Sequence, residues 1–377
     1  MKKIAIIGGG ISGLYFANLL EKYQKYEYKI FEKKSHFELN DGYGIQLSVN
    51  SIKLLNEIGF KNIEANEIFF PKKVIFYGSM DCKKISDIDI SKFNYENSRY
   101  TTLKRSTLIN FLLKNIPKNN IIHNCELNSI NYEDKISLSF SNKHTEQFDY
   151  LLVSDGVFSK SKSIILQKET SPKYFNSVAL RGTIRNIENF DISLYLGSNF
   201  HFVIYPVNQN KEFNFISLIR KNLKKEQIID KNYFENSEFL QSLVAEISSK
   251  TSFSLKNKIE NIKSFPIFVS NKFKKPEKRN IFFSGDALYA FSPSFAQGAS
   301  QSIEASKEVY EEIENNTNTY YQKRYEKIKS VNSRSIINHF IFHLSNPLTV
   351  FARNIVLKYL TKNKRFLENY LGKIYKS

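Results

Sequence analysis

Residues 4–20 read "IAIIGGGISGLYFANLL": an apolar strand, a Gly8-x-Gly10-x-x-Gly13 turn and the start of a helix. Each glycine has a separate task. Gly8 permits the tight turn, Gly10 removes a side chain where backbone must approach a pyrophosphate, and Gly13 lets the helix pack closely on the strand. The helix start, at Ile11 and Ser12, offers free N–H groups and a partial positive charge to phosphates. A second strand, at 28–31, ends at Glu32 with Lys33 beside it, about 20 residues beyond the motif. A carboxylate there accepts both hydroxyls of an adenosine ribose and disfavours a 2′-phosphate. The nucleotide expected is FAD or NAD rather than NADP.

Two further glycine sites lie downstream. The apolar strand at 150–153 ends in Asp155-Gly156, which alone reads as an ordinary turn pair. The strand around 281–284 runs into "GDALYAFSPSFAQG", where Gly285 lets backbone come close to a ligand and Asp286 offers an acceptor to a polyol hydroxyl. The turn through Pro293 and Gln297-Gly298 aims backbone N–H groups at a helix beginning near Ser300. The chain has 14 glycines, and seven of them (8, 9, 10, 13, 156, 285 and 298) fall in these three sites. That concentration implies one ligand approached by backbone from several sides.

The strand–helix–strand start implies a parallel sheet with helices on its faces. Helices are expected at 48–58 and 106–114. From Val178 to Arg220 the texture changes to strands separated by polar turns, as in a largely antiparallel sheet. Polar helices follow over 221–250, and the chain is mainly helical after the strand near 281. The two textures interleave. The expected fold class is α/β: a Rossmann-like dinucleotide-binding domain from 1–70, 100–172 and 270–330, an inserted sheet domain from 71–99 and 173–269 that would hold substrate, and a C-terminal helical segment from 331–377.

Composition excludes several alternatives. Net charge is +18, yet only ten of 55 basic residues are arginines and no lysine block forms, so no nucleic-acid partner is expected. Cys82 and Cys125 form neither a disulfide framework nor a metal pattern. His339 and His343 have helical i,i+4 spacing, but "HFIFH" holds no acidic partner, and no metal is expected. The N-terminal lysines and apolar run resemble a signal peptide, but three glycines break the run and no A-x-A site follows. No run approaches the ~18 apolar residues of a membrane span. A cytoplasmic protein is expected.

The order of motifs resembles the FAD-dependent aromatic-ring monooxygenases of the para-hydroxybenzoate hydroxylase type, especially the salicylate-hydroxylase-like and ubiquinone-biosynthesis branches. "GYGIQLSVNSIKLLNEIGF", "LKRSTLINFLL" and "HLSNPLTVFARNIVLKYL" add weaker likenesses, so the resemblance spans nearly the whole chain. It implies the GR2-type FAD-binding fold, with FAD as cofactor and NADH or NADPH as transient reductant. It implies that Gly8–Gly13 and Glu32 hold the ADP half, that Arg105 touches the flavin and that Asp286 holds the ribityl chain. It places Pro293 at the ring and the amides of 296–299, including Gly298 and Ala299, at the pyrimidine edge. Asp155-Gly156 would support the pyrophosphate region and the visiting nicotinamide. The implied reaction hydroxylates a small aromatic, phenolic substrate with O₂ through a flavin C4a-hydroperoxide.

There are departures: the family commonly has Gly-Asp-Ala-Ala-His, Gly-Gln-Gly and a later Asp where this chain has Tyr289, Ala296 and Ala305. Tyr289, Pro293 and His201 are the catalytic candidates, His201 as a base for a phenol near neutral pH. Arg181, Phe202 and Tyr205 are the substrate candidates. Two other readings stay open. One is an FAD enzyme that does not hydroxylate, an isoprenoid reductase or a halogenase, although the chain has no tryptophan for a Trp-x-Trp motif. The other is peripheral membrane contact through the basic, apolar C-terminus "TKNKRFLENYLGKIYKS".

Overall fold

The computed structural model describes residues 1–37, 39, 43–185, 187–255 and 258–376. Gly42, which opens one of the weaker likenesses, lies outside them. Five parallel strands form the first sheet in the order Ile281–Phe283, Tyr150–Val153, Lys2–Ile7, Tyr26–Phe31, Ile121–Ile122. Ile4, Ala5, Ile6 and Ile7 are all buried, so both faces of the first strand are covered. That is why the strand reads as a continuous apolar run rather than an alternation. The helices Ile11–Tyr23 and Gly298–Asn315 lie together, and the meander Leu127–Tyr132, Ile136–Phe140, Thr145–Phe148 packs through Phe31. The Phe31 ring stacks on Phe140 at 4.1 Å and meets Phe148 edge-on at 5.8 Å.

The second sheet has seven strands in the order Ile259–Val269, Lys173–Ile184, Phe213–Arg220, Phe200–Pro206, Ile192–Gly197, Lys73–Gly78, Lys84–Asp89. All its pairs are antiparallel except Ile192–Gly197 with Lys73–Gly78. Side chains alternate across a strand. Along Phe200–Pro206, Phe200, Phe202 and Ile204 therefore enter a core with Phe215 and Leu243, while Val203 and Tyr205 face a different core shared with Phe295 and Phe342. This second face looks toward the dinucleotide fold and the C-terminal helices.

The polar stretch after residue 221 forms three short helices, Lys225–Ile229, Lys231–Glu235 and Ser237–Ser248. A single helix, Tyr320–Phe342, runs through residue 330, so the C-terminal segment grows out of the dinucleotide fold without a linker. Pro347–Leu360 and shorter turns complete the chain. Among the described residues no helix is long and apolar enough to cross a membrane.

Among the described glycines, the closest approach is at the first motif. A Cβ at Gly13 would lie 2.2 Å from the Gly8 carbonyl oxygen and 2.8 Å from Ser154 Oγ. Backbone cannot yield there as a flexible side chain would. Gly13→Ala should therefore destabilise the cofactor-free protein by about 3 kcal/mol, the upper end for overpacking a buried site. The midpoint of urea unfolding measures this, and an unchanged midpoint would contradict the packing described.

Candidate active site

The three glycine sites converge at one end of the parallel sheet and are bolted together by serines. Gly8 turns the chain with φ of +97°. Ser154 Oγ, at the end of the second motif's strand, lies 3.0 Å from Ile7 O and 3.1 Å from Gly8 O. Ser12 Oγ meets Ser284 Oγ and Ser306 Oγ, each at 2.8 Å, and Ser306 Oγ donates to Ser12 O at 3.0 Å. These serines lack side-chain bulk and carry adaptable hydroxyls, so they satisfy buried backbone where a larger residue would not fit. Ser154, Ser284 and Ser306 are residues that the motif reading did not single out.

Glu32 accepts from Gly9 N at 2.8 Å through Oε2 and from Lys34 N at 3.0 Å through Oε1. It thus holds the glycine turn against the end of the second strand, and each oxygen keeps lone pairs for a further donor. Lys33 is exposed and Arg105 is half-buried after the strand Thr101–Lys104. Gly10 caps the helix starting at Ile11, whose first turn holds no acidic residue. Asp155 accepts from Ser161 N at 3.2 Å and thereby serves the helix Lys160–Ile165; burial raises its carboxyl.

The opened glycines carry the decisive geometry. A Cβ at Gly156, which has φ of +87°, or at Gly298 would meet nothing within 4 Å, and one at Gly10 only Ser154 O at 4.0 Å. Backbone from all three motifs therefore borders free space. The residues fit an extended dinucleotide such as FAD: amides at a helix start, an acid after the second strand, and glycines facing a cradle that side chains would fill.

The third motif builds the far wall. Gly285 turns with φ of +59°, and Asp286 stands in the first turn of the short helix Gly285–Leu288. The Asp286 side chain opens onto a cavity whose protein walls surround it, and desolvation pushes its carboxyl up to about 6. Pro293 begins a tight turn, and Ala296 takes φ of +52°. Ala296 thus adopts a backbone conformation that glycine takes more readily, at a strain of about 1 kcal/mol. Gln297 turns inward: its Nε2 donates to Ser48 Oγ at 3.2 Å, and its Oε1 accepts from Gln301 at 3.3 Å. Gln301 in turn accepts from the fully buried Arg324 at 2.6 Å, and Glu308 pairs with Arg324 at 3.1 Å. Burial raises Glu308 to about 7 against the lowering pull of Arg324. Ser300 is likewise committed inward, to Ser48 N at 3.1 Å and Ser51 Oγ at 2.9 Å. Side chains hold the loop from behind, which leaves the amides of Gly298 and Ala299 at the helix start to face the open side.

That open side is an apolar cavity of about 790 Å³. Arg181, His201, Tyr205, Asp286, Pro293 and Ala299 all reach its wall, so the seven-stranded sheet and the third motif's loop meet there. Arg181 lies over the Tyr43 ring at 5.7 Å. Phe202 is elsewhere: it is fully buried on the opposite face of its strand, stacked on Tyr195 at 4.5 Å. Tyr289 is also off this cavity. It borders a narrow crevice behind the loop with Ala305 and Arg324. His201 Nδ1 lies 2.8 Å from His343 Nε2, and burial, with His339 nearby, pushes the His201 ring down to about 3. A ring neutral throughout the physiological range and this weakly basic is poorly matched to taking a proton near pH 7.

The residues missed from sequence are the far wall of the cavity: Leu357, Leu360, Phe366, Leu371 and Tyr375 from the C-terminal helices. Their spacing marks amphipathic helices but does not say which structure the helices cover. The Tyr320–Phe342 helix also clamps the loop, with Ser335 Oγ donating to Ser292 O and Asn338 Nδ2 to Ser294 O at 3.1 Å. A smaller cavity of about 240 Å³ lies beyond the second motif, bordered by Lys162, Lys168, Lys272 and Lys274. Lys162 donates to Leu288 O at 3.2 Å, and burial, then repulsion from Lys274, lowers its pKa to about 8.

Residues 6–39 match the family described as NAD(P)-binding Rossmann-like domain. The chain is 24% identical over 242 residues to the FAD-dependent monooxygenase pigN of Monascus ruber, and 22% identical over 237 residues to salicylate hydroxylase of Pseudomonas putida. Each alignment covers 57% of this chain and 54% of the relative, so the chain spans about half the length of the curated relatives it matches. Similar solved structures include Klebsiella pneumoniae HpxO with FAD and uric acid, with TM-score 0.79 and 16% identity over 99% of this chain and 96% of that one. A salicylate hydroxylase substrate complex gives TM-score 0.77 and 16% identity over 100% and 95%. The chain has the fold of the FAD-dependent aromatic-ring hydroxylases, a parallel Rossmann-like sheet joined to a mainly antiparallel one, and resembles two named monooxygenases in sequence.

Proposed function

We propose that this protein is an FAD-dependent monooxygenase that uses NAD(P)H and O₂ to hydroxylate a small phenolic substrate. The observation that carries the reading is that Gly298, open to free space like Gly156, lines the apolar cavity of about 790 Å³ together with Asp286, Pro293 and Ala299. Amides of the Gly8–Gly13 turn would meet the pyrophosphate, Glu32 the adenosine ribose and Asp286 the ribityl hydroxyls. The Gly298 and Ala299 amides would stabilise negative charge at the ring edge, where fixed dipoles need no reorganisation. Bound FAD, once reduced, supplies the activation of O₂, and one oxygen atom enters the substrate while the other leaves as water. The chain's own part is positional. Arg181 would hold the phenolate oxygen, and the apolar wall excludes water that would waste reducing equivalents. The lysine-bordered cavity beside Lys162 suits the phosphates of the reductant.

Reconstituted protein should be yellow, and a suitable phenol should accelerate NAD(P)H oxidation and gain one oxygen by mass. NAD(P)H oxidation that continues without O₂ and yields a reduced substrate would favour a reductase instead.

Gly298→Val separates ligand space from stability. The methyls enter open space, so urea unfolding of the cofactor-free protein should change by less than about 1 kcal/mol. FAD affinity should fall at least about tenfold, which corresponds to about 1.4 kcal/mol.

Asp286 has a raised carboxyl, so its ionisation opposes folding of the cofactor-free protein above about pH 6, and that penalty vanishes as pH falls toward 4. Asp286→Asn should therefore stabilise that form at pH 7 by about 1 kcal/mol, discounted because water reaches the carboxylate, and by nothing near pH 4. Thermal midpoints at the two pH values measure it. The same variant should bind FAD more weakly.

A further inference from the structure

The C-terminal helices carry their apolar face on the outside. Along Pro347–Leu360, Leu348, Phe351, Ile355, Val356 and Tyr359 are all exposed, Leu348 at 79% and Tyr359 at 69%. Their spacing of three and four residues forms one stripe down the helix. Leu357 and Leu360, on the inner side of the same helix, line the large cavity. One helix therefore separates the cavity from an exposed apolar surface. The preceding helix adds Ile336, Ile337 and Phe340, each about half exposed or more, and Ile337 also lines the cavity. A monomer rarely leaves so many large apolar side chains together in water without a partner.

Charge identifies the partner. From residue 327 to 367 the chain has eight basic residues and no acidic one. Lys358, Lys362, Lys364 and Arg365 are exposed at the end of the apolar stripe. A second copy seated here by a twofold axis would bring this same basic surface against itself. An anionic bilayer offers both complements, acyl chains for the stripe and headgroup charge for the lysines. With no membrane-spanning helix among the described residues, the helix would lie in the interface.

We propose that the outer face of Pro347–Leu360, with its flanking basic residues, docks on an anionic lipid surface and sets this wall of the cavity against it. Resting on the proposed hydroxylase reading, the substrate class becomes an apolar phenol dissolved in the membrane. It would enter between the helices without crossing water, and the apolar wall built by Leu357, Leu360 and Phe366 suits such a tail.

Flotation of the FAD-loaded full chain with vesicles tests the surface. Binding is expected to phosphatidylcholine vesicles that contain phosphatidylglycerol, absent with phosphatidylcholine alone, and reversed by high salt. Charge reversal at Lys358, Lys362 and Arg365 (each →Glu) should weaken partitioning by at least about a hundredfold, since losing each basic residue near an anionic surface alone removes about fivefold. Leu348→Ser with Phe351→Ser and Ile355→Ser should weaken it at least about tenfold. Both sets are solvent-facing, so both variants should keep their circular dichroism and FAD content. Absence of wild-type binding to anionic vesicles would overturn the proposal. So would a wild-type dimer in sedimentation that the serine variant converts to monomer. For substrate entry, the serine variant should lose turnover on a long-chain alkylphenol held in vesicles but not on a short soluble phenol. An equal loss on both would overturn the entry role. Protein that binds vesicles but never binds FAD would remove the hydroxylase reading and leave the docking surface standing.

Discussion

The site depends on how closely backbone can approach backbone at the start of the first helix. A single methyl at Gly13 would sit within 2.2 Å of the Gly8 carbonyl, so helix and strand are held at a separation that only glycine permits. Around that contact, buried serine hydroxyls take up the polar groups that such crowding strands: Ser154 toward Ile7 and Gly8, Ser12 toward Ser284 and Ser306. The same bonds tie residues nearly three hundred positions apart. The cradle is consequently a rigid consequence of packing rather than a set of loops that happen to meet.

A second principle governs the third motif. Its side chains face backward and its amides face forward. Gln297, Ser300 and Gln301 spend their polar atoms on Ser48, Ser51 and Arg324, and the buried guanidinium is matched by Glu308 and Glu304. A buried ion pair of this sort costs desolvation, and its partners must be complete to hold it. Here the network fixes a helix start whose free N–H groups border the cavity. Ala296, at positive φ, carries the local strain of that turn.

Much of this could be read from the chain itself. The glycine spacing after an apolar strand, the acid after the second strand and the Gly-Asp pair each have a local chemical meaning, and these residues gather at one end of the parallel sheet. The alternation of Phe200–Pro206 also follows a local rule, yet which of its two faces would meet the cavity did not. Phe202 and Tyr205 look equivalent as strand aromatics, and a shift of one residue decides that Tyr205 lines the cavity while Phe202 enters the core behind it. Tyr289 follows the same lesson, since its loop turns it into a crevice behind the cradle.

By itself the sequence determined the dinucleotide fold, the mainly antiparallel insert and the backbone positions that must be glycine, because those depend on periodicity and on steric limits within a few residues. Tertiary structure alone decided the rest: that serines far apart in sequence seal the site, that His201 is buried against His343, and that the C-terminal helices wall the cavity while turning an apolar stripe outward. Those outcomes depend on which surfaces meet, and an amphipathic pattern states only that a helix has two faces, not what either one covers.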